Sequence, residues 1–177
     1  MIVIDWQLFY PLAMPPYPHS PSPPALRMIG GFMRMPVKDK ALLLVAWCLL
    51  GLAAALLRVL PFRRLAPLLG IPIGAVAWVP IADKAQIARA RMVRRAILRA
   101  ARIAPFRSDC LPQALAAALL CRMLKVPASI HLGVRLSGER NQMAAHAWVC
   151  SGPEAVTGGR SFGTYTSVAC FMCSITC

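Results

Sequence analysis

The stretch RSDCLPQALAAALL, residues 107–120, decides how the middle of this chain folds. Asp109 is a preferred N-cap residue and Pro112 is tolerated only in a first turn, so a helix is predicted from Cys110 to about Leu124. The unpaired amides and the dipole at such a helix start stabilise a thiolate. We expect the Asp109 carboxylate to turn toward the first-turn amides and away from the sulfur. Cys110 is therefore a candidate nucleophile.

Two segments after this helix have the alternating pattern of strands. In ASIHLGVRL (128–136) apolar and polar residues alternate at period two. In QMAAHAWVC (142–150) His146, Trp148 and Cys150 alternate with Ala145, Ala147 and Val149, and the polar, glycine-containing SGERN joins the two segments. This pattern predicts a β-hairpin. On its second strand, His146, Trp148 and Cys150 share one face, since they are two residues apart.

A cysteine nucleophile needs a proton acceptor, and the chain contains three histidines. His19 lies in a proline-rich segment, whereas His131 and His146 lie on the two hairpin strands. A cysteine at a helix start followed by a histidine on a later strand suits a thiol nucleophile with an imidazole base. His146 is the candidate base and His131 is interpreted as structural. The same order along the chain would also be found if the cysteine and the histidine were purely structural residues.

An apolar run precedes the central helix. Residues 41–57, ALLLVAWCLLGLAAALL, are seventeen apolar residues, the low end of what spans a bilayer at about 1.5 Å per residue. Basic residues flank both ends, so the positive-inside rule gives no orientation. We expect a helix that packs on the domain or rests on a membrane surface, although a span fits the same run. IPIGAVAWVP (71–80) is interpreted as a connector.

Positive charge is concentrated in one part of the chain. Of the net charge of +14, residues 58–107 carry +10, with eleven basic residues and one acid. Residues 84–104 have the pattern of an amphipathic helix, with Arg91, Arg95 and Arg99 along one face. This field favours an acidic peptide, protein surface or anionic lipid, although a solvated helix face gives the same pattern. No zinc-finger or RNP motif is present, so no nucleic-acid partner is predicted.

Cysteine usage indicates the compartment. The chain has seven cysteines, an odd number, and no cleavable signal peptide opens it, which favours a reducing cytoplasm. CFMCSITC (170–177) contains one CxxC without a second CxxC or a histidine pair. We therefore predict no metal site and no cofactor.

Three motifs in the right order indicate a family. CLPQALAAALL (110–120), VPASIHLGVR (126–135) and AAHAWV (144–149) together resemble the transglutaminase-like B2 leader peptidases of lasso peptide biosynthesis. The resemblance implies an α+β fold: a papain-like or transglutaminase-like cysteine protease core with N-terminal helices. It further implies that Cys110 is the nucleophile and His146 the base of a protease that removes the leader from a precursor peptide.

The third catalytic member does not carry over cleanly from the family. There, an acidic or amide residue follows the HAW strand after a turn and orients the imidazole. Here Thr157 lies near that place, and Glu154, the only acid after His146, lies slightly earlier. Either Glu154 completes the site or the chain is catalytically impaired.

The resemblance also implies partners: a precursor peptide, a separate leader-recognition protein and an ATP-dependent lasso cyclase. Arg91, Arg95 and Arg99 are the predicted partner-binding residues. Two other functions remain open, a transglutaminase-like acyltransferase and an impaired, membrane-associated interaction protein. The predicted segments are a disordered proline-rich lead-in (1–40), an apolar helical segment (41–83), the protease core (84–168) and an atypical Cys-rich tail (169–177).

Overall fold

The computed structural model describes residues 36–137, 142–159 and 161–173. In chain order the helices are α1 (Val37–Val59), α2 (Phe62–Leu69), α3 (Lys84–Ile103) and α4 (Cys110–Met123). The strands are β1 (Ile71–Gly74), β2 (Ala128–Ser137), β3 (Gln142–Ser151), β4 (Glu154–Thr157) and β5 (Thr166–Cys173). The predicted disordered lead-in lies outside the described residues as far as residue 35.

The strands form one antiparallel sheet in the order β1-β5-β2-β3-β4. The predicted hairpin is confirmed, and its register places Gly133 opposite His146 and His131 opposite Trp148. Residues directly opposite in an antiparallel pair point to the same face, so these four lie on one face of the sheet. The helices pack on the other face, and the predicted α+β class is confirmed.

Helix α4 lies at the centre of the molecule. It begins at Cys110 as predicted and is buried on nearly every side, with Ala114, Ala116, Ala117 and Ala118 fully inaccessible. Small side chains let α1, α3 and the sheet approach it closely. A helix that is apolar all round is the expected sequence for such a core position.

Helix α3 has the predicted amphipathic structure. A capping box forms at its start, because the Asp83 side chain accepts from the Gln86 amide while the Gln86 side chain accepts from the Asp83 amide. Its buried residues recur at helical spacing: Ala90, Val93, Ala96, Ile97 and Ala100. The arginine face therefore remains at the surface.

Three predicted boundaries are wrong. Helix α1 begins at Val37, so residues 37–40 are helical rather than part of a disordered lead-in. Residues 71–74, interpreted as connector, form an edge strand paired with β5. Residues 169–173 belong to β5, which lies between β1 and β2. Strand pairing across about a hundred residues orders these short segments, and local pattern does not reveal it.

The CxxC of β5 has its two sulfur atoms on opposite faces of the sheet, because residues three apart on a strand point in opposite directions. The Cys170 thiol lies 3.9 Å from the Trp78 carbonyl oxygen, whereas the Cys173 thiol donates to the Ala118 carbonyl of α4 at 3.5 Å. Both thiols therefore pack in the core. Cys177 lies outside the described residues.

Candidate active site

Cys110 is the first residue of α4, and its side chain is only partly buried. Backbone amides of Ala147, Leu111 and Cys110 lie near enough to the sulfur to lower the pKa of Cys110. Two of them belong to the helix start, where amides have no partner within the helix. The third belongs to β3, so the thiol lies against the residue that follows His146.

In the resting protein, however, the Cys110 side chain stays a neutral thiol. Desolvation by burial raises the pKa of Cys110 to about 12, and the Asp109 charge adds to the increase. Burial and the Asp109 charge together raise the pKa by more than the three backbone amides lower it. Our expectation that the Asp109 carboxylate caps the helix is wrong: it makes no capping hydrogen bond, and its Oδ2 lies 3.5 Å from Nε of Arg107. The arginine draws the carboxylate away from the first-turn amides.

His146 lies on β3 with its Nε2 atom 3.1 Å from the carbonyl oxygen of Gly158. A carbonyl can only accept, so Nε2 carries the proton and Nδ1 keeps a lone pair. Desolvation lowers the pKa of His146, and the positive charge of Arg135 lowers it further, although the Gly158 bond opposes both. The imidazole is therefore neutral and can act as a base.

The Cys110 thiol packs against Ala147 of β3, and His146 is the preceding residue, on the opposite face of that strand. Helix α4 packs on the face that carries Ala147, whereas His146 lies on the face of Trp148. Strand β4 pairs with β3 only from Val149 onward, and next to Ala147 and Trp148 it is Gly158 that lies against β3. No hydrogen bond joins the Cys110 thiol to the His146 ring there, and catalytic contacts commonly tighten only when substrate binds.

The face that carries His146 is lined by aromatic rings. Trp148 is fully buried and stacks on His131, with centroids 5.3 Å apart, and Phe162 packs edge-on against both rings. Burial lowers the pKa of His131 to about 4, so this histidine stays neutral. His131 is a core residue, as interpreted from the sequence.

The predicted third members do not reach His146. The Glu154 carboxylate pairs with Arg91 at 3.1 Å and with Arg94 at 3.7 Å, on the side facing α3. The Thr157 hydroxyl is buried without a hydrogen-bond partner among the described residues. The group that orients the imidazole is the Gly158 backbone carbonyl, which motif reasoning missed because any residue type supplies a carbonyl. The adjacent Gly158 and Gly159 after β4 were the one signal in this part of the sequence that could have drawn attention to the backbone there.

The three predicted partner-binding arginines lie on the exposed side of α3. Arg91 is engaged by Glu154 but its side chain remains 60% exposed. Arg95 and Arg99 line a shallow depression against α1 beside Asp39 and Leu42. They form a basic surface on the helical layer, which Arg91 extends to Glu154 at the start of β4.

A helix-start thiol packed against an antiparallel sheet, with a neutral histidine on the adjoining strand, is the architecture of a papain-like α+β domain. The family profile described as Transglutaminase-like superfamily matches residues 53–170, a range that includes Cys110 and His146. The chain belongs to the transglutaminase-like superfamily, whose members are typically cysteine proteases or acyltransferases. No curated protein and no solved structure shows a significant match.

Proposed function

We propose that this protein is the leader peptidase of lasso peptide maturation, cleaving the leader from a precursor peptide by thiol chemistry at Cys110. The observation that carries the proposal is the position of Cys110 at the start of α4, packed against Ala147, the residue that follows His146 on β3. Membership of the transglutaminase-like superfamily supports thiol chemistry. The motif resemblance supports the choice of a leader peptide as substrate.

Because the Cys110 thiol and the His146 imidazole are both neutral at rest, the proton moves from sulfur to nitrogen only during the attack. As the Cys110 sulfur attacks the scissile carbonyl, its proton passes to Nδ1 of His146, and negative charge develops on the carbonyl oxygen. Helix-start amides stabilise that oxyanion. His146 then protonates the leaving amine, and water hydrolyses the thioester to release a carboxylate. In this hydrolysis His146 accepts a proton from the water and returns it to the Cys110 sulfur. The imidazolium therefore forms twice per cycle, and each time the Gly158 carbonyl accepts from its Nε2–H.

An acyltransferase is the second candidate, because the same thioester can be attacked by an amine instead of water. Mass spectrometry of the products separates the two outcomes. We expect a core peptide and a leader with a free carboxylate when the precursor and its recognition protein are supplied. A leader joined to an added primary amine would replace the peptidase proposal by acyl transfer. Unchanged precursor would favour the impaired interaction protein.

The proposal includes two protein partners, a leader-recognition protein and an ATP-dependent cyclase. The exposed basic face of α3 supports a docking role toward an acidic partner, because complementary surface charge accelerates encounter. This face is defined here as Arg91, Arg95 and Arg99.

Replacing Arg91, Arg95 and Arg99 by Gln should slow association with the leader-bound recognition protein by about tenfold at low salt. The effect should shrink at physiological salt, where charges are screened over about 8 Å. Stopped-flow association at several salt concentrations measures it. The matched control replaces Arg58, Arg63 and Arg64, which removes the same charge at the end of α1 and in α2. Equal slowing by both variants would assign the effect to net charge and reject this docking face.

Helix α1 supports a contact with a membrane surface. It is the one helix in the described residues long and apolar enough to cross a bilayer, with a mean hydropathy of 2.4, although core helices of soluble proteins share this property. One face packs on α3 and α4 and buries Leu43, Ala46 and Leu50. The other exposes Leu44 and Leu52, at 63% and 52%. A span would detach the buried face, so we propose that α1 lies on the surface of the bilayer.

Two leucines of α1 should therefore respond differently to substitution. Leu50→Ala should cost about 2–5 kcal/mol of stability, because it leaves a cavity in the core. Leu52→Gln should leave the thermal midpoint within a few degrees but weaken sedimentation with anionic vesicles. Alkaline carbonate should release the wild-type protein from membranes. Retention of the protein in the carbonate-washed pellet would show a span and overturn the surface position.

A further inference from the structure

Tyr165 stacks directly on the proposed catalytic base. The centroids of the Tyr165 and His146 rings are 4.9 Å apart, with 29° between the planes. The guanidinium carbon of Arg135 lies 4.9 Å from the centre of the same tyrosine ring. Trp148 lies further away, 6.1 Å from the imidazole. The imidazole is thus held by a tyrosine that is itself held by an arginine.

Gly133 provides the room for this stack. It lies opposite His146 in the hairpin register. A Cβ atom there would lie 2.6 Å from Cζ3 of Trp148 and 3.0 Å from Cβ of Tyr165, closer than side chains pack. The missing side chain lets Tyr165 cross over β2 and reach the imidazole, so Gly133 has a steric role.

The turn that carries Tyr165 also fixes the acceptor for the His146 ring. The Tyr165 amide donates to the Ser161 carbonyl at 3.0 Å, and the Ser161 hydroxyl donates to the Gly158 carbonyl at 2.6 Å. That same Gly158 oxygen accepts from Nε2 of His146. One short segment therefore supplies both the ring that covers the imidazole and the carbonyl that selects its tautomer.

We infer that Tyr165, seated over Gly133, is a positioning residue that holds the His146 imidazole against the Gly158 carbonyl and keeps Nδ1 as its basic nitrogen. The inference rests on the proposed role of His146 as base. The titratable and charged groups around the ring are Arg135 and His131 on β2 and the Tyr165 phenol, and the Cys110 thiol lies against Ala147, the next residue of β3. Arg135 faces the tyrosine ring, so its charge disfavours the imidazolium without a direct contact to substrate.

The test compares Tyr165→Phe with Tyr165→Leu in the full-length protein. The phenyl ring retains the stack, so Tyr165→Phe should keep kcat and the His146 titration within about twofold of wild type. Tyr165→Leu should lower kcat by about tenfold with little change in KM, the scale of one lost aromatic contact. Water then reaches the imidazole, so the pKa of His146 should rise toward 6.5, as measured by NMR of the labelled ring.

Phe162→Leu is the matched control, because Phe162 lies on the same turn and contacts His131 and Trp148 rather than His146. It should leave the His146 titration unchanged. Gly133→Ala is the second variant and should move the titration as Tyr165→Leu does, with folding checked by circular dichroism. An unchanged His146 titration and pH profile in Tyr165→Leu would overturn the inference. If Tyr165→Leu shifts the titration but the His146→Ala variant still cleaves the precursor, His146 is not the base, while the positioning of its ring by Tyr165 stands.

Discussion

Cys110→Ala is expected to abolish precursor cleavage, because the acyl intermediate of the proposed mechanism forms on its sulfur. His146→Ala should lower kcat by about 10²–10⁴-fold, the usual contribution of a general base. The double variant should be no slower than Cys110→Ala alone, since the two residues act as one unit. Mass spectrometry of the leader and core products measures all three variants with the recognition protein present.

Controls for these variants lie close to the site. Cys150→Ala removes a thiol from the same face of β3 as His146 and should leave cleavage within about twofold of wild type. Cys110 and His146 are both partly exposed, so thermal midpoints should change by only a few degrees in either variant. Cleavage by Cys110→Ala or His146→Ala within tenfold of wild type would contradict the assigned mechanism.

The second large effect concerns the resting thiol. An increase in the pKa of Cys110 from 9.0 to about 12 lowers its thiolate fraction at pH 7 by about a thousandfold. Iodoacetamide should therefore alkylate Cys110 far more slowly than Cys48, which is exposed on α1. The rate should rise about tenfold for each pH unit as far as protein stability allows. Peptide mapping with mass spectrometry follows both cysteines in one sample.

The acid limit of cleavage follows from His146. Its lowered pKa means that the neutral base is present above that pKa and is lost only as pH falls through it. The acidic midpoint of kcat/KM should therefore lie below 6.5, the ordinary value for histidine.

Fast alkylation of Cys110 that is flat from about pH 5 to 8 and disappears in His146→Ala would show a preformed ion pair instead. That result would contradict neutral resting groups.

Local signals in the sequence determined the elements that carry the proposed chemistry. Pro112 is compatible only with a helix start, so the position of Cys110 on α4 could be predicted without any tertiary contact. Alternation at period two likewise placed His146 and Trp148 on one face of the hairpin. The apolar and arginine faces of α3 followed from helical spacing. These signals are local because each depends on residues within a few positions.

Only the tertiary structure decided how these elements form a site. Burial raises the pKa of Cys110 against the helix-start amides, and burial depends on the packing of distant segments. Glu154 is occupied by arginines of α3, while a backbone carbonyl at Gly158 takes the position beside His146. Residues 71–74 become a strand only by pairing with β5, and residues 169–173 only by pairing with β1 and β2. Carbonyl direction, desolvation and long-range pairing are properties of the assembled fold, and no residue type encodes them alone.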